Sequence, residues 1–179
     1  MSATILIAGI GNIFQGDDGF GVAVAQRLLA SPVPEGLHIM DVGIRSIDLQ
    51  FALLEDYDRI ILVDATARGG EPGTLYSIEI DPEDIPDVTD ESFLVNTHAL
   101  DPARVLSLAR STGAQLRKVM LIGCEPLVLD CDESGHIGLS GVVDAAVGSA
   151  VEIIRQLVKE FQQASESYSH EEEVLHESS

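Results

Sequence analysis

The stretch Thr4–Val24, TILIAGIGNIFQGDDGFGVAV, decides the fold. Its first residues, Thr4–Ala8, form a short apolar run that ends at glycines, the pattern of a strand buried on both faces. After an acidic, glycine-rich loop, apolar residues recur at helical spacing from Phe20 until Ser31-Pro32 breaks the pattern. The stretch therefore predicts a central β-strand followed directly by an amphipathic helix.

The rest of the chain repeats this alternation of strands and helices. We predict four further strands: Leu37–Val42, Arg59–Asp64, Gly73–Ile80 and Lys118–Cys124. Further helices are predicted over Ile47–Leu54, Asp101–Ser111 and Ser140–Phe161. This element order, with right-handed crossovers, predicts an α/β fold, a three-layer α/β/α sandwich with a mostly parallel, mixed five-stranded sheet.

Two of these elements carry more detailed predictions. Ser46 can cap the second helix, and Ile47, Phe51 and Leu54 then fall on one face that is expected to pack on the core. The strand Gly73–Ile80 alternates between two faces, one of which is partly polar. This alternation predicts a strand near the edge of the sheet that runs antiparallel to its neighbour.

The topology also predicts where a site should lie. If the chain winds outward through strand two on one side of strand one and through strand three on the other, the winding reverses between strands one and three. Ligands of open α/β sheets bind at such a switch point, beside the carboxyl ends of the strands. We therefore expect a site at the carboxyl ends of Thr4–Ala8 and Arg59–Asp64.

Size and charge limit the class of protein. The 179 residues fit one domain, predicted over residues 1–163, and an acidic tail over residues 164–179 that is expected to be disordered. The formal net charge of −20 argues against nucleic acid and anionic membranes as partners. The N-terminus lacks the positive region of a signal peptide, and no apolar stretch is long enough to span a membrane. We expect a cytoplasmic protein that is a monomer when free.

The loop Gly11–Gly19 is acidic where a phosphate-binding loop is basic. Gly11 and Gly16 have the spacing that opens a P-loop, but Asp17 and Asp18 stand where lysine and serine or threonine are needed. The third glycine of a dinucleotide-binding fingerprint is also missing. Two carboxylates on a glycine-flexible loop suit a hard or borderline cation instead. In the alternative interpretation, the two aspartates only cap the following helix and complement its dipole.

Asp64 and His98 are expected at the same edge of the sheet as this loop. Asp64 ends an apolar strand, and His98 precedes the helix that Asp101 caps. Two carboxylates and one imidazole, from Asp18, Asp64 and His98, suit nickel, zinc or manganese. A metal there could polarise a carbonyl or acidify a bound water while Asp17 moves the proton. Taken singly, Asp64 could instead cap a turn, and His98 could be a solvated loop histidine.

Cys124 offers a rival to the metal site. It also falls at the carboxyl end of a strand, so a Cys124/His98 nucleophile pair is an alternative, although cysteines at buried strand ends are commonly unreactive. No serine lies in a Gly-x-Ser-x-Gly elbow, which excludes the usual serine hydrolase. Cys131 is the only other cysteine, so no disulfide framework is predicted.

Five segments of the chain form an ordered combination. They are GIGNIFQGDDGFGV (Gly9–Val22), LVDA (Leu62–Ala65), THALDPARVL (Thr97–Leu106), IGCEP (Ile122–Pro126) and IGLS (Ile137–Ser140). Each segment alone is a weak signal, but together, over residues 4 to 160, they resemble the hydrogenase maturation proteases. These are endopeptidases that remove the C-terminal extension from the large subunit of nickel-iron hydrogenase.

The resemblance implies that the partner is the large-subunit precursor. Asp18, Asp64 and His98 match the family's nickel-contacting residues and are the expected catalytic and metal-binding set, although many members carry glutamate in place of Asp18. In such enzymes nickel arrives within the precursor and is recognised before cleavage, and zinc or cadmium could replace it in vitro. We expect the acidic connection Asp81–Asn96 to meet a basic surface of the precursor.

Two other functions stay open on the sequence. The chain could be a non-catalytic nickel-checkpoint module that binds the precursor without cutting it. It could also be a general metallo-aminopeptidase, which would hydrolyse short unrelated peptides. Purified protein mixed with nickel-loaded precursor separates these alternatives, because only the endopeptidase converts the precursor to one discrete shorter product.

Overall fold

The structure is a computed structural model that describes residues 3–85, 102–129 and 137–177, with side chains as far as residue 165. Its five strands are β1 (Ile5–Ile10), β2 (Leu37–Gly43), β3 (Arg59–Ala65), β4 (Leu75–Ile80) and β5 (Val119–Cys124). Its α-helices are α1 (Phe20–Leu29), α2 (Ser46–Ala52), α3 (Pro102–Ser111) and α4 (Gly141–Glu177), and short 3-10 turns lie at Gly16–Gly19 and Pro82–Asp84. The predicted strands are all present.

The five strands form one sheet in the order β2-β1-β3-β5-β4. Strands β2, β1, β3 and β5 run parallel to one another, whereas β4 lies at the edge and pairs antiparallel with β5. The predicted position of β1, inside the sheet between β2 and β3, is confirmed. The winding of the chain therefore reverses between β1 and β3, where the sequence predicts a site.

Apolar side chains cover both faces of the sheet. Successive side chains of β1 point to opposite faces of the sheet. Ile5 and Ile7 pack with α1 and α4 on one face, while Leu6 and Ala8 pack with α2 and α3 on the other. All six residues of β1 are buried. A strand buried on both faces needs a helical layer on each side, so the three-layer α/β/α sandwich is confirmed.

Two glycines let helix α1 approach the sheet closely. A Cβ atom at Gly9 of β1 would collide with the Gly21 carbonyl oxygen and would lie 2.7 Å from the Ala25 Cβ. A Cβ atom at Gly21 would in turn collide with the carbonyl oxygens of Ile10 and Val63. The first turn of α1 is therefore held against the carboxyl ends of both β1 and β3.

The prediction of which face of helix α2 packs on the core is wrong. Leu49 and Leu53 are fully buried, whereas Ile47, Phe51 and Leu54 are exposed. The cap is also different, because Ser46 is the first residue of the helix and no side chain makes a capping hydrogen bond there. Apolar residues lie on nearly all sides of this short helix, so spacing alone does not distinguish the face that meets the sheet.

The last helix continues past its predicted end at Phe161. Helix α4 runs through Glu177, so most of the tail 164–179, for which the sequence predicts disorder, is helical. The tail contains neither glycine nor proline, the two residues that interrupt helices, and it is rich in glutamate. Glutamate favours the extension of an existing helix. In the described residues, no helix combines the length and the apolar character that crossing a membrane requires.

Candidate active site at the carboxyl edge of the sheet

The acidic loop follows β1 and folds tightly back on itself. Gly11 has a φ of 129°, and a Cβ atom at this position would collide with the main-chain oxygen of Asp18. The Gly11 N–H donates a hydrogen bond of 3.1 Å to the carbonyl oxygen of Gly43, at the end of β2. The Asn12 N–H donates to the Asp18 Oδ2 at 2.6 Å. Glycine is thus required at position 11 for the turn that returns Asp18 to the strand end.

Asp18 lies in a partly dehydrated environment. Its side chain is half-buried, and this burial raises the pKa of the carboxyl group, opposed only in part by the hydrogen bond from the Asn12 N–H. Among the described residues, Asn12 is its one hydrogen-bond donor, and a dehydrated carboxylate gains more from a cation or a proton than a solvated one does. Perturbed carboxyl groups of this kind are common at functional sites.

Asp64 lies at the same edge of the sheet as Asp18. It is a buried residue near the end of β3, and its Oδ1 accepts a hydrogen bond of 2.9 Å from the Ala65 N–H. The contact of Gly21 with Ile10 and Val63 brings the start of α1, and so the acidic loop, against this strand end. The loop that carries Asp18 and the strand that carries Asp64 therefore lie side by side at the β1/β3 switch point.

The third predicted site residue, His98, lies outside the described residues, as does Asp101. Most of the acidic connection Asp81–Asn96 is outside them too. In residues 3–85, 102–129 and 137–177, no three His, Cys, Asp or Glu side chains come close enough to hold a metal ion. The ligand set of Asp18, Asp64 and His98 thus stays a prediction.

Asp17 is an anchor between distant segments. Its side chain is fully buried and accepts four hydrogen bonds: from the N–H groups of Leu127 and Val128 at 2.9 Å each, from the Ser140 N–H at 2.6 Å and from the Ser140 Oγ at 2.9 Å. Burial alone raises the pKa of Asp17, but the hydrogen bonds from Ser140, Val128 and Leu127 outweigh it and lower the pKa. The predictions that Asp17 caps its own helix or moves a proton do not fit a carboxylate engaged in this way, next to the start of α4.

The structure argues against the Cys124/His98 nucleophile pair. Cys124 is fully buried at the end of β5. Burial, with the nearby carboxylates of Asp17 and Glu125, raises the pKa of the thiol to about 11. The nucleophilic form of cysteine is the thiolate, which is scarce at neutral pH when the pKa is this high.

Sequence reasoning missed Glu125 as a residue of this edge. Its side chain is buried and accepts hydrogen bonds from the Tyr76 hydroxyl at 2.7 Å, the Arg68 N–H at 2.8 Å and the Gly69 N–H at 3.1 Å. The hydrogen bond from Tyr76 is the main cause of its lowered pKa. Through these hydrogen bonds, Glu125 holds the connection that follows β3, at Arg68 and Gly69, against the end of β5. The signal in the sequence was an acid directly after a buried apolar strand, the same signal that identified Asp64.

Known proteins resemble this chain in both sequence and structure. A family model described as hydrogenase maturation protease (HycI) matches residues 22–157. The hydrogenase expression/formation protein HupD of Rhizobium leguminosarum bv. viciae is 36% identical over 155 residues, which cover 84% of this chain and 74% of HupD. The hydrogenase 2 maturation protease of Escherichia coli K12 is 30% identical over 158 residues, covering 87% of this chain and 91% of that protein.

Solved structures show the same fold. The hydrogenase maturating endopeptidase HybD from E. coli matches with a TM-score of 0.67 and 26% identity over 88% of this chain and 93% of that chain. The [NiFe] hydrogenase maturation protease HycI from Thermococcus kodakarensis matches with a TM-score of 0.65 and 29% identity over 88% and 94% of the two chains. The family model covers most of the chain, and relatives above 30% identity cover more than two thirds of it. The chain therefore belongs to the hydrogenase maturation protease family.

Proposed function

We propose that this peptidase removes the C-terminal extension of a nickel-iron hydrogenase large-subunit precursor after nickel has been inserted. The observation that supports the proposal is the position of the loop that carries Asp18, which lies after β1 and beside the end of β3, the strand that carries Asp64. Asp18, Asp64 and His98 all lie in segments that resemble the family's motifs. We assign the nickel contacts to these three residues.

The nickel belongs to the substrate in this proposal, because the precursor carries it to the site. Carboxylate oxygens and an imidazole nitrogen are suitable ligands for a borderline divalent cation. The raised pKa of Asp18, caused by burial, reflects a carboxylate for which a cation would relieve the cost of lost hydration. Contacts to nickel would therefore favour the loaded precursor over the empty one. Zinc or cadmium could occupy the same contacts in vitro.

Cleavage itself requires that a water molecule add to the scissile carbonyl carbon. One of the two carboxylates can accept the proton that the water loses, and the C–N bond then breaks as the leaving nitrogen gains a proton. Asp17 is not available for this role because its oxygens already accept four hydrogen bonds. In this proposal, Asp18 takes part in the reaction, whereas its neighbour Asp17 has a structural role.

A cleavage assay with purified components tests the function. Wild-type protein is mixed with nickel-loaded or nickel-free large-subunit precursor, and the product is measured by mass spectrometry. We expect one shortened product from the nickel-loaded precursor only, with no hydrolysis of short unrelated peptides. A stable uncut complex would instead support the checkpoint module, and equal cleavage of both precursors would contradict nickel recognition.

Replacement of Cys124 by alanine is expected to leave cleavage within about twofold of the wild-type rate, because the buried, neutral thiol takes no part in the reaction. The substitution should lower the free energy of unfolding by about 1 kcal/mol through the small cavity it creates. Rates are compared at a temperature at which both proteins are folded. Loss of cleavage without loss of folding would restore the Cys124/His98 interpretation.

A further inference from the structure

Helix α2 has a second apolar face that the fold does not use. Leu49 and Leu53 fill the core, yet Ile44, Ile47 and Phe51 remain 64%, 63% and 68% exposed. Ile47 and Phe51 lie one helical turn apart on the same side of α2, and Ile44 lies in the turn just before the helix. We call these three residues the α2 stripe.

The α2 stripe lies beside the candidate active site. Ile44 directly follows Gly43, whose carbonyl oxygen accepts the hydrogen bond from the Gly11 N–H at the start of the acidic loop. The same loop carries two more exposed apolar side chains, Ile13 and Phe14. Ile44 and these two residues thus sit on adjacent segments at the carboxyl edge of the sheet, and helix α2 continues the apolar surface from Ile44 to Ile47 and Phe51.

A further pair of apolar side chains lies across the acidic loop. Leu127 and Leu129 are exposed, and the residue between them, Val128, accepts a hydrogen bond of 3.0 Å from the Asp17 N–H. Single exposed apolar residues are ordinary, but a set grouped at one edge of a protein indicates contact with another molecule. The segment that holds Asp18 is therefore flanked by apolar side chains on both sides.

We propose that the α2 stripe, with Phe14, binds an apolar segment of the precursor polypeptide next to the scissile bond. This inference rests on the proposed function, because a polypeptide that reaches Asp18 and Asp64 must pass over the surrounding edge. A second copy of this chain is the less suitable occupant, since two molecules that each carry a net charge of −20 repel each other. Burial of the stripe adds affinity for the precursor that does not depend on nickel.

The test replaces two residues of the stripe with glutamine, which keeps helix propensity. The matched control replaces Leu29 and Val33, two exposed apolar residues at the opposite end of the sheet. For Ile47→Gln/Phe51→Gln we expect KM for nickel-loaded precursor to rise roughly 10-fold or more, with kcat at saturation and the thermal midpoint unchanged. The control Leu29→Gln/Val33→Gln should keep the wild-type KM.

Each outcome can be interpreted separately from the proposed function. An unchanged KM, in a wild-type protein that cuts the precursor, overturns the inference and leaves the function standing. If wild-type protein binds the precursor but does not cut it, the function fails, and the dissociation constant of the same variants decides the inference by the same 10-fold criterion. Sedimentation of the free proteins completes the test, since a wild-type dimer that the stripe variant abolishes would assign the stripe to self-association and overturn the inference.

Discussion

Asp18→Asn and Asp64→Asn are each expected to slow cleavage of nickel-loaded precursor by about 100-fold or more, while the protein stays folded. Asparagine keeps the size of the side chain but removes the negative charge and the basic oxygen, so a cation contact and a proton acceptor are both lost. The amide oxygen can still accept the hydrogen bond that Asn12 donates to Asp18. We expect the same loss of cleavage for His98→Ala. Single-turnover rates with the purified precursor measure the effect.

The matched control for these variants is Asp56→Asn. Asp56 is an exposed aspartate before β3, at the opposite edge of the sheet, where it pairs with Arg117 at 2.9 Å. Exposed ion pairs contribute about 1 kcal/mol at most, so this variant should be stable and fully active. Thermal unfolding of all variants shows whether each is folded. Normal processing by all three site variants would remove the site assignment.

Asp17→Ala is expected to lower the free energy of unfolding by about 3 kcal/mol or more. The substitution leaves the N–H groups of Leu127, Val128 and Ser140 without their acceptor. Each buried donor without a partner costs roughly 1–3 kcal/mol, and the favourable charge at the start of α4 is lost as well. Urea unfolding at neutral pH measures the change in stability.

The pH dependence of stability provides a second readout for Asp17. Its pKa in the folded protein is lower than the ordinary aspartate value of about 3.9. The stabilisation by Asp17 is therefore present above that ordinary value and is lost as the pH falls through the lower, folded pKa. The difference in stability between wild type and Asp17→Ala should shrink over this range. Asp18→Ala serves as control, because within the described part of the chain Asp18 accepts a hydrogen bond from Asn12 alone. Equal losses of stability in the two variants would contradict the anchoring role.

Local patterns were sufficient to predict the strands, the inner position of β1 and the edge position of β4. The continuous apolar runs of β1 and β3 predict burial on both faces, and the alternating pattern of β4 predicts an edge. Both patterns are properties of neighbouring residues along a strand. Parallel strands then need crossovers of fixed hand, which restricts the topology to few solutions.

The same reasoning failed where several local arrangements are equally good. Helix α2 could bury either of two apolar faces, and the sheet selected Leu49 and Leu53. Which of the two faces packs on the sheet depends on the orientation that the turn after β2 gives to the helix. The surface left exposed by this choice, the α2 stripe, could not be recognised until the packing was known.

The stretch Thr4–Val24 by itself determined the first strand, the glycine turn after it and the acidic loop, whose negative charge excludes phosphate binding. Only the tertiary structure showed how differently its two adjacent aspartates are surrounded. Asp17 faces donors that lie more than 100 residues further along the chain, in the segments at Leu127 and Ser140. Asp18 lies beside the end of β3, where its carboxylate accepts a hydrogen bond from the backbone of Asn12 in its own loop. The physical reason is that hydrogen-bond donors and lost hydration set the role of a carboxylate, and both depend on residues that only folding brings near.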